Sequence, residues 1–68
     1  MQEQPIAPLF YRSRDLPKLT GLSKSEIYRR IKEGEFPAPI RLGTQLSGWV
    51  PQDILAWRDR IISQSQAV

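Results

Sequence analysis

The residues of this sequence best suited to chemistry are basic, hydroxyl and aromatic side chains at helical spacing within residues 23–33. On a helical wheel with Ile27 at 0°, Ile31 falls at about 40°, and this pair defines a buried side. The opposite side, at about 100–200°, carries Ser25, Tyr28, Arg29 and Lys32. Glu26 and Glu33 project to about 240–260°, so no acidic residue falls within that arc. Side chains of these types bind phosphates and base edges, and the face therefore predicts contact with a nucleic acid.

Structural roles are open for the same face. Arg29 and Lys32 could be solvated cations, and Tyr28 could half-pack against a neighbouring hairpin. At the start of the helix, Ser23 and Lys24 are candidates for contacts with phosphates. The helical wheel alone does not decide between solvation and binding.

The residue types in this chain do not favour catalysis. It contains no His and no Cys, which removes the commonest general base and the commonest metal ligands. The carboxylates are scattered over predicted helix surfaces, and their spacing assembles no nucleophile–base pair or metal cluster. We therefore expect a protein that is not an enzyme and that needs no cofactor or metal.

Positive charge is concentrated in the middle of the chain. The 68 residues are 40% hydrophobic and 25% charged, with a net charge of +3, which is typical of one small globular domain. Eight basic residues stand against four acidic ones between residues 12 and 41. A basic region of this kind fits a protein that binds phosphates, although many solvated helices are also mildly basic.

The sequence predicts neither export nor insertion into a membrane. No stretch approaches the roughly 18 consecutive apolar residues that a membrane span needs. Residues 1–8 include two Pro residues and lack the apolar centre of a signal peptide, so they are interpreted as a flexible tail. We expect a cytoplasmic protein.

A first short helix is predicted near the start of the domain, which should extend over residues 9–63. Residues 9–12 form an apolar and aromatic run that could lie extended against the core. Ser13 is a candidate N-cap for a helix over Arg14–Thr20, with Pro17 in its first turn and Gly21 at its end.

The second helix has the clearest signals in the sequence. Ser23 and Glu26 have the spacing of a capping box, in which the hydroxyl and the carboxylate each accept a bond from a backbone N–H. The helix is predicted over Ser23–Glu33, and Gly34 suits the left-handed residue that follows it. Two helices joined by so short a turn have the spacing of a helix-turn-helix.

A minimal β-hairpin should follow. A strand is predicted over residues 40–42, a turn over residues 43–45 and a returning strand over residues 46–50. Arg41 and Gln45 flank the tip, and such a wing can lie along a DNA backbone or enter a minor groove. For Gln45, a solvent-facing turn is an equally good interpretation.

The last helix is predicted from Pro51 to Ser63, followed by a polar tail over residues 64–68. One broad arc of this helix carries Ile54, Leu55, Trp57, Ile61 and Ile62. We expect Trp57 and Ile61 to pack against Ile27 and Ile31 of the second helix. The two Trp residues could also stack on bases, but packing in the core is the better interpretation for a chain this small.

Residues 21–37, which read GLSKSEIYRRIKEGEFP, resemble the AlpA family of prophage regulators. The similarity continues through Pro39, Leu42-Gly43, Gly48-Trp49 and residues 53–57, so it extends over residues 9–62. The resemblance implies a mainly α fold with a small β-hairpin, a winged helix-turn-helix like those of excisionases and MerR-type activators. It also implies a regulator that binds double-stranded DNA through the second helix and the wing, or a factor that directs excision.

Partners other than DNA are open. Integrase and RNA polymerase are candidates, and a domain this small could associate with further copies of itself on DNA. The alternative function is a protein-interaction module that binds an integrase or a regulator through its last helix. Exposure of Leu55 or Ile62 in a patch there would favour that alternative.

Overall fold

The fold contains the elements that the sequence predicts. The computed structural model describes the backbone of residues 8–66 and the side chains of residues 8–65. The elements, in chain order, are helix α1 (Leu16–Thr20), helix α2 (Lys24–Lys32), strand β1 (Ile40–Gly43), strand β2 (Leu46–Gly48) and helix α3 (Pro51–Gln66). A mainly helical chain with one antiparallel hairpin has the architecture of a winged helix-turn-helix, as predicted. Of the predicted tails, residues 1–7 and 67–68 lie outside the described part.

Helix α1 begins later than predicted, and the assignment of Ser13 as its N-cap is wrong. The first helical residue is Leu16, and the preceding Asp15 accepts a bond at 3.0 Å from a backbone N–H three residues earlier. A start at Arg14 would place Pro17 fourth in the helix, where a backbone N–H normally makes the first helical hydrogen bond. With the observed start, Pro17 is the second helical residue and no hydrogen bond is lost.

Helix α2 forms one half of the predicted capping box. The backbone N of Glu26 donates to Ser23 Oγ at 3.1 Å, which makes Ser23 the N-cap. The Glu26 carboxylate is instead hydrogen-bonded to Arg29 and Arg30, because charged donors bind a carboxylate more strongly than a neutral N–H does. Gly34 follows the helix with a φ of 78°, the left-handed conformation predicted for it.

The hairpin is short because the chain leaves it at Trp49. Strands β1 and β2 are joined by the two-residue loop Thr44–Gln45, and β2 ends at Gly48, two residues before the predicted end. Trp49 pairs with Tyr11 through two backbone hydrogen bonds of 2.9 Å. The extended run predicted before α1 is therefore present at Tyr11, whereas Leu9 and Phe10 are exposed.

Six apolar residues form the buried core: Leu16, Ile27, Phe36, Trp49, Ile54 and Trp57. The rings of Phe36 and Trp57 lie 5.0 Å apart between centroids, and Trp49 Nε1 donates to the Pro37 carbonyl at 2.8 Å. Both Trp residues therefore pack in the core, as predicted. Ile31 is only half-buried and packs against the edge of this cluster.

Helix α3 buries only part of its predicted apolar arc. Ile54 and Trp57 are buried, but 48% of Leu55, 38% of Ile61 and 47% of Ile62 are exposed. The expectation that Ile61 packs against α2 is wrong, because the buried residues of α3 end at Trp57 and the helix runs beyond the core. The helix continues to Gln66 instead of ending at residue 63. Within residues 8–66, no helix is long and apolar enough to cross a membrane.

Candidate nucleic-acid interface

Helix α2 presents the predicted face to solvent. Ile27, only 1% exposed, fixes the opposite side of the helix on the core. Because side chains project at about 100° intervals, the far side is exposed, and it carries Ser25, Tyr28, Arg29 and Lys32. Tyr28 keeps 46% of its surface exposed, so its ring and hydroxyl are available to a ligand.

The start of α2 offers further hydrogen-bond donors. Ser23 and Lys24 are both exposed, with Ser23 as the N-cap and Lys24 as the first helical residue. Ser23 Oγ accepts a backbone hydrogen bond, which leaves its hydroxyl proton free to donate. The helix dipole and the free N–H groups of this turn favour an anion, and Lys24 adds a full positive charge.

Arg29 is not the isolated cation that the helical wheel indicated. Its Nη1 donates to the two carboxylate oxygens of Glu33 at 2.9 and 3.0 Å, and its Nη2 pairs with Glu26. Glu26 also accepts a bond from Arg30 Nε at 2.8 Å. The sequence analysis did not predict this network. The signal for it was present, because the charged residues are three and four positions apart, the spacing at which side chains of a helix meet.

The same network shifts two pKa values. Hydrogen bonds from Arg30 and Arg29 lower the pKa of the Glu26 carboxyl. The hydrogen bonds that the Arg29 guanidinium donates to Glu26 and Glu33 raise its pKa. Both shifts favour the charged forms of Glu26 and Arg29. The network joins two carboxylates to two guanidinium groups, so its formal charges cancel.

The uncompensated positive charges of α2 lie at its two ends. Lys24 is the first residue of the helix and Lys32 is the last. Neither lysine pairs with a carboxylate among the side chains that the structure describes. The ends of the helix, more than its middle, therefore carry the positive potential that an anionic surface would meet.

Both predicted wing residues are accessible. Arg41 lies on β1 opposite Ser47 of β2 and is exposed. Gln45 is exposed in the loop, where its φ of 56° is in the left-handed region that residues other than Gly seldom adopt. A two-residue loop leaves little freedom at this position, so the wing tip presents Gln45 in a fixed conformation.

Arg12 is a basic residue beside the wing that the sequence analysis did not select. Its Nε donates to the backbone oxygen of Ser47 at 3.1 Å, and Arg41 is paired with the same residue of β2. The bridge between Tyr11 and Trp49 holds the N-terminal segment in this position. No local signal indicates the contact, because 35 positions separate Arg12 from Ser47.

The exposed face of α2 and the wing carry cations and hydrogen-bond donors, with the carboxylate of Glu33 beside Arg29. Within residues 8–66, no three or more His, Cys, Asp or Glu side chains come together in a group that could hold a metal ion. The chemistry available on these surfaces is therefore the binding of an anionic partner through charge and hydrogen bonds.

Comparison with known proteins identifies the family of this chain. Residues 10–62 match the family described as prophage CP4-57 regulatory protein (AlpA), and this range includes every element except the end of α3. The chain is also 37% identical over 60 residues to the uncharacterized protein ORF88 of Enterobacteria phage P4, covering 78% of this chain and 68% of that protein. No solved structure matches the chain. Since the family match extends over well more than half of the chain, this protein belongs to the AlpA family of prophage regulatory proteins.

Proposed function

We propose that this protein is a sequence-specific double-stranded DNA-binding regulator of a phage or mobile element. The observation that carries the proposal is the exposed face of α2, which is basic at both ends and is held on the core by the buried Ile27. In a winged helix-turn-helix, a helix presented in this way fits the major groove. Regulation then follows from binding alone, without catalysis, in the cytoplasm where the DNA lies.

Within α2, the proposed contacts are of two kinds: some side chains bind base edges, and others bind the phosphate backbone. Tyr28, Arg29 and Lys32 face base edges, where Arg or Lys can bind guanine and a Tyr ring can contact a thymine methyl group. Ser23, Lys24 and Ser25 hold the phosphate backbone at the start of the helix. Arg29 exchanges its carboxylate partners for a base, and because surface ion pairs contribute little to stability, the exchange is not costly.

In the wing, Arg41 contacts the DNA backbone and Gln45 reaches the backbone or the minor groove. Arg12 adds a second guanidinium beside Arg41. Bound in this way, the protein acts as a transcriptional activator that engages RNA polymerase, or as an excision-directing factor that works with an integrase.

A binding experiment tests this function. Fluorescence anisotropy with promoter and attachment-site DNA of the host element should show binding that weakens steeply with salt, by about 0.9 logarithmic units per phosphate contact and decade of salt. Footprinting on the same DNA should give a protected site, and unrelated DNA is the control. If the folded protein bound neither DNA at low salt, or bound both equally at every salt concentration, the proposal would be wrong.

A second candidate function is protein docking through α3. The exposure of Leu55 and Ile62 favours it, because these apolar side chains would gain by burial against a partner. An integrase from the same element is the partner to test. Replacement of both residues by Ser should abolish that interaction and leave the affinity of the protein for DNA unchanged.

A further inference from the structure

The two carboxylates that bind Arg29 are held with different strength. Glu26 accepts a hydrogen bond from Arg30 Nε at 2.8 Å as well as from Arg29, and 29% of its side chain is exposed. Glu33 is bonded to Arg29, and 46% of its side chain is exposed. Glu26 also lies in the first turn of α2, where the helix dipole favours a carboxylate, whereas Glu33 is the C-cap, at the end that disfavours one. Glu33 is therefore the more easily displaced partner of Arg29.

Arg30 anchors Glu26 from the core side of the helix. On the helical wheel, Arg30 lies about 60° from the buried Ile27, and Arg29 lies about 160° from it. Glu26 falls between the two arginines, and its carboxylate bridges them. The Arg30 side chain is only 26% exposed, and it lines a groove together with Trp57 of α3. A side chain packed in this way has fewer rotamers than an exposed one, so Arg30 keeps the carboxylate of Glu26 in place.

The two glutamates also occupy different edges of the Arg29 guanidinium. Glu26 accepts from Nε at 3.3 Å and from Nη2, which together form the side edge of the group. Glu33 accepts from Nη1, at 2.9 and 3.0 Å. If Glu33 moved away, the end of the guanidinium formed by Nη1 and Nη2 would be open to a ligand. That end presents two parallel N–H groups, which match the O6 and N7 acceptors of guanine.

We propose that Glu26 stays bound to Arg29 on DNA and directs the end of the guanidinium at a guanine, which takes the place of Glu33. This assignment, which rests on the proposed DNA binding, names the base that Arg29 recognises. The exchange of partners proposed for Arg29 then involves Glu33 alone. Glu26 and Arg30 touch no base, and both are positioning residues.

A guanidinium held along its side edge favours guanine for two reasons. An arginine on a helix surface has many rotamers, and ordering it on a base costs conformational entropy. Arg29 loses less freedom on binding, because Glu26 already restricts it. The restriction also fixes the plane of the group, so two hydrogen bonds form only with a base whose two acceptors lie in that plane. Glu26 therefore contributes to the preference for guanine and not to the affinity for DNA in general.

The test begins by identifying the base that Arg29 binds. Anisotropy is measured with the site that the natural protein protects and with versions of it in which each base pair is replaced in turn. The pair whose preference disappears in Arg29→Ala is the one that Arg29 contacts, and it should be a G·C pair. At this pair, Glu26→Gln and Arg30→Gln should each lower the preference by about fivefold. Arg30→Lys keeps a cation beside Glu26 and should retain most of the preference.

Matched variants separate the position of a carboxylate from its charge. Glu26→Gln, Glu33→Gln and Glu35→Gln each raise the net charge from +3 by one unit, so their general effect on DNA binding is similar. Glu35 is an exposed residue outside the network and serves as the control. Glu33→Gln should keep the preference for guanine. It should also bind the cognate site up to about fivefold more tightly than Glu35→Gln, because an exposed ion pair no longer has to be broken.

Nuclear magnetic resonance gives a readout that does not depend on affinity. In the complex with the cognate site, the Nε–H of Arg29 should stay protected from exchange with water in the natural protein and in Glu33→Gln. It should lose this protection in Glu26→Gln. Circular dichroism shows whether each variant is folded.

The outcomes distinguish the positioning role from DNA binding itself. If the natural protein binds its site and folded Glu26→Gln and Arg30→Gln change the preference no more than Glu35→Gln does, the positioning role is wrong and DNA binding stands. Loss of the preference in Glu33→Gln, or an Arg29 contact with a base other than guanine, would also overturn the inference. A natural protein that binds no DNA would reject the proposed function and the inference together.

Discussion

The guanidinium of Arg29 donates two hydrogen bonds to the carboxylate of Glu33, one turn further along α2, at 2.9 and 3.0 Å. The residue at the centre of the proposed DNA-reading face is therefore already hydrogen-bonded in the free protein. Its orientation is fixed before binding, and a base must compete with the carboxylate for the same donors. Because exposed ion pairs contribute little to stability, a base that offers two acceptors can replace the carboxylate at small cost.

Removal of Arg29 should impair recognition and not folding. Arg29→Ala should weaken binding to the cognate site by about ten- to a hundredfold, because a bidentate contact with a base is lost. Arg60→Ala is the matched control, since Arg60 is an exposed arginine of α3 outside the proposed interface. Anisotropy measures the affinities and circular dichroism the fold. Unchanged affinity in a folded Arg29→Ala variant would remove Arg29 from the reading face.

Basic residues outside the reading face should act on the phosphates. Lys24→Ala, Arg41→Ala and Arg12→Ala should each weaken binding to all DNA sequences alike and lower the salt slope by about one unit. Arg12→Ala also loses the hydrogen bond to Ser47, so the free energy of unfolding of this variant must be measured as well. A variant that changed base preference and kept its salt slope would contradict the phosphate assignment.

The lowered pKa of Glu26 predicts how the stability of the domain depends on pH. A carboxylate whose pKa is depressed by folding stabilises the folded state fully above its ordinary pKa, and the contribution is lost as pH falls through the lowered value. At neutral pH, the free energy of unfolding of the natural protein should therefore exceed that of the Glu26→Gln variant. Urea titrations should show the difference vanishing in acid. A difference that persists at the lowest pH would show that Glu26 acts through packing or capping.

Truncation of the core should unfold the domain. Ile27 is almost completely buried, and Ile27→Ala should cost about 2–5 kcal/mol, a large share of the stability of so small a domain. Ile31→Ala should cost less, because Ile31 is only half-buried. Trp57→Ala should also unfold the protein, with loss of the folded-state fluorescence of Trp49. A Trp57 variant that kept full thermal stability and lost binding would make Trp57 a contact residue.

A single methyl group at Gly48 should disturb the base of the wing. A Cβ there would lie 2.8 Å from Leu42 Cδ1 and 3.2 Å from the backbone oxygen of Tyr11. The Leu42 side chain can move, but the Tyr11 oxygen is held by its hydrogen bond to Trp49. We expect Gly48→Ala to lower the free energy of unfolding by about 1–3 kcal/mol. Gly43→Ala is the control, since its nearest contacts are at 3.8 Å.

The elements whose signals act within one or two turns could be predicted from the sequence alone. Ser23 caps α2, Gly21 and Gly34 take positive φ values after the first two helices, and Pro51 begins α3. Each signal depends on a backbone conformation or hydrogen bond among near neighbours, so it can be recognised without knowing the rest of the fold. The exposed face of α2 followed in the same way from helical periodicity.

Two features depend on the packing of the whole chain: which apolar residues the core covers, and which distant groups come into contact. Periodicity placed Ile54, Trp57 and Ile61 on one arc of α3, but the core ends at Trp57 and leaves Ile61 exposed. The contact between Arg12 and Ser47 joins residues 35 positions apart. Contacts of this kind depend on how the whole chain packs, because the entropy of closing a long loop is offset only by the complete set of tertiary interactions.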